Sequence, residues 1–84
     1  MEIEDGIRRI LNSEIMVESS PDQIGVGDSL RAVHGLDSLA FVELRVQCED
    51  MFGVKISDED FSPENFHSVQ SVAALVRRLA QGQS

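Results

Sequence analysis

Apolar residues recur at helical spacing in three separate blocks of this chain, and no segment alternates apolar and polar residues long enough to build a sheet. The first block is Ile3, Ile7, Ile10, Leu11 and Ile15. The second is Phe41, Leu44, Cys48, Met51 and Phe52, and the third is Val69, Val72, Ala73, Val76 and Leu79. Each block is one stripe of an amphipathic helix, so helices are expected over about 3–15, 37–52 and 69–80. Gly6 weakens the first slightly, and Gly53 is placed to stop the second. Arg77 and Arg78 sit near the negative end of the last.

Between these blocks the chain carries turn chemistry. Ser19-Ser20-Pro21-Asp22 favours a turn, and Gly25 and Gly27 break any helix continuing through them. So long a connection needs anchoring, which we assign to Ile24, Val26, Leu30 and Val33. Ser57-Asp58-Glu59-Asp60 reads as the start of a further short helix with Ser57 as cap. Pro63 interrupts it, and Phe61 and Phe66 plug it into the core; Ser68 or His67 opens the last helix. The expected fold is all-α: a small antiparallel four-helix bundle with a long first loop and a short third helix. It is expected to be one domain over residues 1–84, with an ordered core over about 3–80 and a polar tail, Gln81-Gly82-Gln83-Ser84.

The second helix has more apolar surface than its core needs. At about 100° per residue, its core stripe fills roughly one 100° arc. Leu39, Val42 and Val46 form another stripe on a different face, beside Glu43, Glu49 and Asp50. Single exposed apolar residues are ordinary. Three aligned residues with an acidic rim read as a face on which a partner docks.

Size and charge narrow the function. A chain of 84 residues is near the lower limit for a self-sufficient core and has little material for a deep substrate pocket. Seven basic against 15 acidic residues give a net charge of −8. That disfavours nucleic acid and anionic membranes, and suits basic docking patches. Cys48 is the only cysteine, so neither an internal disulfide nor a cysteine metal cluster is expected. Met1-Glu2-Ile3-Glu4-Asp5 lacks the apolar core of a secretory signal, and no apolar run has membrane-spanning length. The expectation is a soluble, cytoplasmic monomer.

Ser38 stands where the second helix begins. Helix-initial N–H groups lack internal partners, and with the helix dipole they favour an anion. A phosphodiester on Ser38 would suit that position, although the Asp37 carboxylate works against it.

Gly35-Leu36-Asp37-Ser38-Leu39 resembles the Gly-x-Asp-Ser-Leu attachment motif of acyl carrier proteins. Val42-Glu43-Leu44 and Glu49-Asp50-Met51-Phe52-Gly53-Val54 resemble the same family's second helix and its exit, and the similarity extends over essentially the whole chain. The resemblance implies that a phosphopantetheinyl transferase moves 4′-phosphopantetheine from coenzyme A to Ser38, with Gly35, Leu36, Asp37 and Leu39 forming the motif that it reads. It implies acyl or aminoacyl cargo held as a thioester, an acyl- or aminoacyl-loading enzyme, and downstream synthase or tailoring enzymes. Those partners would dock on Val42, Glu43, Val46, Glu49 and Asp50. The chain itself would catalyse nothing and bind no metal.

Details of the resemblance bear on cargo. Ala40 stands where fatty-acid-type carriers usually have an acid, Val42-Glu43-Leu44-Arg45 resembles carrier domains of modular polyketide synthases, and His34 replaces a common apolar residue. Arg45 adds a positive charge to a helix that is usually acidic. The region from Ile56 to Phe66 is similar to free-standing amino-acid carriers, D-alanyl carriers included. A dedicated polyketide, peptide or hybrid pathway, such as antibiotic biosynthesis, follows as the expectation. The alternatives are an aminoacyl or peptidyl carrier and an unmodified acidic helical adaptor.

Other readings of these residues are weaker. Ser38 as a mere helix cap agrees with cap statistics. A triad of His34, Asp37 and Ser38 lies within five consecutive residues and lacks a Gly-x-Ser-x-Gly elbow. Asp58, Glu59, Asp60 and Glu64 fail the calcium-loop spacing, since Pro63 and Val69 fall where glycine and glutamate are required. Cys48 lies on the core stripe and reads as a structural thiol.

Overall fold

The structure, a computed structural model, describes residues 3–82. Met1, Glu2 and the tail's Gln83 and Ser84 lie outside the described residues. Helix α1 spans Ile3–Ser13, α2 spans Ser38–Phe52 and α3 spans Val69–Gly82; a single 3-10 turn at Pro21–Gln23 interrupts the first loop. Helix α1 packs against both other helices. The all-helical architecture agrees with the sequence expectation.

The core is built from the three stripes. Ile7, Ile10 and Leu11 of α1 meet Leu44 and Cys48 of α2 and Val69, Val72, Ala73, Leu75 and Val76 of α3. Each large aliphatic side chain buried there contributes roughly 1.5–3 kcal/mol, which outweighs the weak helix propensity of the β-branched residues. Met51 departs from expectation: it is 44% exposed. It lies at the edge of the stripe near the end of α2, where α1 passes beside it. A Cβ on Gly6 would lie 3.0 Å from Met51 Sδ and 2.9 Å from Phe52 Cζ, so this glycine allows the two helices to approach closely. Gly53 ends α2 in the left-handed region at φ 65°, with its N–H donating to Glu49 O.

The long loop is anchored by a different set of residues from the one expected. Ile24 and Leu30 are buried, but Val26 is 39% and Val33 60% exposed. Leu36 takes the third apolar anchor position. Backbone bonds supply the rest: Leu30 N–H donates to His67 O, and Gln70 N–H donates to Val26 O. Arg8 Nε adds a bond to Ile24 O at 2.8 Å. The loop is thus tied to α1 and to the start of α3, without needing every apolar residue in the core.

The segment expected as a short third helix forms two successive turns. Phe61 N–H bonds to Ser57 O, and Phe66 N–H bonds to Ser62 O. Each turn has its own serine cap: Ser57 Oγ accepts Asp60 N–H, and Ser62 Oγ accepts Asn65 N–H. Pro63 explains the division, since it disfavours helical geometry at Ser62 and donates no N–H of its own. Phe61 and Phe66 still plug the segment inward, as a T-shaped pair with centroids 4.9 Å apart.

Ser68, rather than His67, caps α3: its Oγ accepts Ser71 N–H, and Ser71 Oγ accepts Ser68 N–H. Helix α3 runs to Gly82, two residues beyond the expected end. Arg77 and Arg78 consequently serve as cross-element partners. Arg77 bonds to Glu4 of α1 at 2.7 Å, and Arg78 lies 3.7 Å from Asp60.

Candidate functional site

The motif Gly35-Leu36-Asp37-Ser38-Leu39 divides into residues that build the helix start and residues that the start presents. Gly35 has φ 72°, a conformation that a side chain would strain. Leu36 is buried and donates its N–H to Leu30 O, which fixes the chain's approach to α2. Asp37 is the N-cap, its Oδ1 accepting Ala40 N–H at 2.8 Å. Ser38 is therefore not the cap. It is the first residue of α2, it is exposed, and its hydroxyl forms no hydrogen bond to another described residue. Leu39 beside it is 79% exposed.

This placement removes the basis for a triad. His34 Nε2 pairs with Asp28 Oδ2 at 3.1 Å, not with Ser38. Asp37 turns its carboxylate to the helix amides, so neither residue activates or orients a base at the serine. Among the described residues, no group of three or more His, Cys, Asp and Glu side chains is placed to hold a metal ion.

The second stripe on α2 is exposed: Leu39 leads to Val42 and Val46, which are 47% and 44% exposed. Glu43 and Asp50 are exposed, and Glu43 Oε2 accepts a bond from Gln47 at 2.7 Å. Glu49 behaves differently. It is half-buried, and its Oε2 accepts Ile56 N–H at 2.7 Å. Arg45 is also occupied internally. Its Nε and Nη2 donate to Ile56 O, it pairs with Asp58, and it lies 5.0 Å from the centre of the Phe61 ring. The positive charge of Arg45 belongs to a fold contact, which helical phase alone does not reveal.

Sequence reasoning missed a cleft of about 430 Å³ beside Ser38, formed where α2 faces residues 61–67. Phe41, Val42, Phe61 and Phe66 line it, together with Arg31. The pair Phe61/Phe66 is the sequence signal for this cleft, whereas a loop residue such as Arg31 has no helical phase to place it.

An exposed, unengaged serine at a helix start, beside an acidic-rimmed apolar face, agrees with what known proteins show for this sequence. The family described as "Phosphopantetheine attachment site" matches residues 5–79. The chain belongs to the phosphopantetheine attachment-site family, that of the acyl carrier proteins. This carrier protein is 36% identical over 80 residues to the meromycolate extension acyl carrier protein of Mycobacterium tuberculosis, covering 95% of the chain and 66% of that relative. It thus spans slightly less than two thirds of that relative's length. It is 35% identical to the meromycolate extension acyl carrier protein of Mycolicibacterium aurum, covering 95% of the chain and 78% of the relative.

Among solved structures, the carrier is similar to a chain in an engineered Bradyrhizobium japonicum glycine:[carrier protein] ligase complexed with carrier protein from Agrobacterium tumefaciens and ATP. The TM-score is 0.81 at 26% identity, covering 90% of this chain and 97% of that one. The holo acyl carrier protein of Nitrosomonas europaea shares the fold at TM-score 0.84 and 22% identity, covering 96% and 99%. Members of this family carry a 4′-phosphopantetheine prosthetic group, and the chain belongs among them by its attachment-site match.

Proposed function

We propose that this carrier bears its prosthetic group on Ser38 and presents acyl intermediates to partner enzymes. The observation that carries the reading is the state of Ser38. Leu36 and Asp37 before it are occupied in building the helix start, while its own hydroxyl is exposed and free of hydrogen bonds to described residues. The first amides of α2 favour an anion there, which fits a phosphodiester. When bound, the group supplies a terminal thiol that holds cargo as a thioester. The chain's part is to anchor and display that thiol. Tethering raises the cargo's effective concentration at a docked enzyme without any catalysis by the carrier.

Gly35, Leu36, Asp37 and Leu39 would be read by the phosphopantetheinyl transferase, the first three through the backbone shape they impose. Loading and downstream enzymes would dock on Leu39, Val42 and Val46, with Glu43 and Asp50 steering a basic partner. We leave Glu49 out of that face, because its carboxylate is bound to Ile56 N–H. The relatives named for meromycolate extension favour an acyl cargo over an aminoacyl one. The residues Val42-Glu43-Leu44-Arg45 support a dedicated polyketide or hybrid pathway as its setting.

The test is to incubate the purified chain with coenzyme A, magnesium and a promiscuous phosphopantetheinyl transferase, then to measure intact mass. A gain of one arm in the wild type and none in Ser38→Ala is expected. A folded wild-type chain that gains nothing, or a Ser38→Ala chain that still gains an arm, overturns the assignment.

A further inference from the structure

The turn that precedes α2 is held by a pair of polar side chains that the attachment chemistry leaves unused. Residues 29–35 form a helical turn: Val33 N–H donates to Ser29 O, Gly35 N–H donates to Arg31 O, and Ser29 Oγ caps the turn by accepting Ala32 N–H. Leu30 and His34 share its inner side, at i and i+4. Leu30 is fully buried, and the His34 side chain is 4% exposed. Arg31, Ala32 and Val33 are exposed. Arg31 lines the cleft that contains Ser38, and Val33 lines a hollow shared with Asp37 and Ala40, so the turn borders the start of α2 on both flanks.

Little else fixes this turn. Between Ile24 and Leu36, Leu30 is the buried apolar residue, and Gly25 and Gly27 leave the backbone free to vary. His34 Nε2 lies 3.1 Å from Asp28 Oδ2; a carboxylate oxygen accepts, so the ring nitrogen donates. The same Oδ2 accepts Gly25 N–H at 2.9 Å. A Cβ on Gly25 would fall 2.9 Å from Asp28 Oδ1, so that glycine permits the approach. Gly25 follows Ile24, whose carbonyl accepts Arg8 Nε of α1. A continuous series of contacts thus leads from α1 through Asp28 to His34, next to the Gly35 that opens the attachment motif.

We propose that His34 is a positioning residue for arm addition: through Asp28 it presets the turn beside Ser38, so that the transferase meets a formed surface and does not have to order one. The proposal rests on Ser38 being the attachment serine. In that reaction the Ser38 oxygen bonds to the pantetheine-bearing phosphorus of coenzyme A and the pyrophosphate bond breaks. Adenosine 3′,5′-bisphosphate leaves, and the hydroxyl proton passes to a base of the transferase. A partner that must order a loose turn on docking loses binding free energy, whereas the chemical step in the docked complex is unaffected. Loss of the tie therefore raises KM for the carrier and spares kcat. A histidine that merely filled space would not depend on Asp28.

The experiment follows arm addition by intact mass, with coenzyme A, magnesium and a promiscuous phosphopantetheinyl transferase, over a range of carrier concentrations. Loss of one hydrogen bond predicts a KM about threefold to tenfold higher in His34→Ala and in Asp28→Ala, with kcat within about twofold of wild type. His34→Gln, whose amide N–H can donate, and Asp28→Asn, whose carbonyl can accept, should each recover more than half of the loss. The double variant His34→Ala/Asp28→Ala should be no worse than Asp28→Ala alone, because both changes break the same tie. Arg77→Ala, which breaks the bond from α3 to Glu4 of α1, should leave KM unchanged, and circular dichroism confirms that each variant is folded. An unchanged KM in His34→Ala, no recovery in the conservative variants, or effects that multiply in the double variant overturns the proposal. If His34→Ala does not fold, Asp28→Ala against Asp28→Asn decides by the same measure. A wild-type chain that gains no arm overturns the attachment reading, and this one with it.

Discussion

Glu49 Oε2 accepts the backbone N–H of Ile56 at 2.7 Å. Arg45, one turn earlier on α2, donates to the carbonyl of the same residue at 2.6 Å through Nη2. The two side chains therefore satisfy both polar groups of a residue whose own side chain is buried. They hold the extended link between α2 and the turns that carry Phe61 and Phe66, and so fix one wall of the cleft beside Ser38.

Removing either side chain leaves a backbone group at Ile56 without its partner. A hydrogen bond to a charged group contributes about 1.5–3 kcal/mol. Arg45→Ala and Glu49→Ala are each expected to lose about that amount in urea unfolding, whereas Glu49→Gln, which keeps an acceptor, loses less. Arg45→Ala also gives up its contact with the Phe61 ring. If both alanine variants unfold at the wild-type urea midpoint, the clamp has no energetic weight.

Met16 is the non-glycine residue found at positive φ, 66°, and its side chain is 77% exposed. A left-handed conformation costs an ordinary side chain about 1–2 kcal/mol, and asparagine tolerates it better. With so little packing to lose, Met16→Asn is expected to gain roughly 1 kcal/mol, read as a higher thermal midpoint. A lower midpoint would mean that Met16 makes a contact worth more than its backbone strain.

These contacts mark the boundary of what the sequence made legible. Helical phase placed Leu44 and Cys48 in the core and Leu39, Val42 and Val46 outside it, because each answer follows from the angle around one helix. The motif singled out Ser38, which is exposed at the first position of α2. Phase could not assign Arg45 or Glu49, since their role depends on which backbone happens to lie beside α2. It also could not separate Ile24 and Leu30 from Val26 and Val33, because a loop has no fixed period to sort buried from exposed. The expected third helix failed at Ser62-Pro63, where a local cap and a missing N–H outweighed the acidic helix start at Ser57.

Asp28 makes the loop sensitive to acid. Its Oδ2 accepts Gly25 N–H at 2.9 Å and bonds to His34 Nε2 at 3.1 Å. The Gly25 N–H first, and His34 second, lower its pKa below the usual aspartate range. Stability from a carboxylate with a lowered folded pKa is complete above the unfolded value, ~3.9, and is lost as pH falls through the folded one. The wild type should thus lose thermal stability more steeply below about pH 4 than Asp28→Asn, whose neutral side chain does not titrate. Parallel midpoint curves for the two proteins between pH 6 and pH 2.5 would refute this linkage.

Cys48 bears on function through its inertness. It is buried in the core, and burial, with the Glu49 charge nearby, pushes its thiol pKa up to about 12. The thiolate is the reactive form, so at pH 8 only about one molecule in 10⁴ is poised to react, and the side chain is shielded as well. The native, unmodified chain should therefore give no prompt reaction with a disulfide reagent such as dithionitrobenzoate, while the denatured chain gives one equivalent. After arm addition the native chain should gain one fast equivalent, from the thiol at the end of the arm. That thiol is then the only fast nucleophile available for thioester chemistry, and a selective label can follow the arm without disturbing the core. Prompt labelling of the native, unmodified protein would show that Cys48 is accessible and would remove that selectivity. Cys48→Ala distinguishes the sources, since it should abolish the denatured signal of the unmodified chain and leave the fast equivalent of the modified one in place.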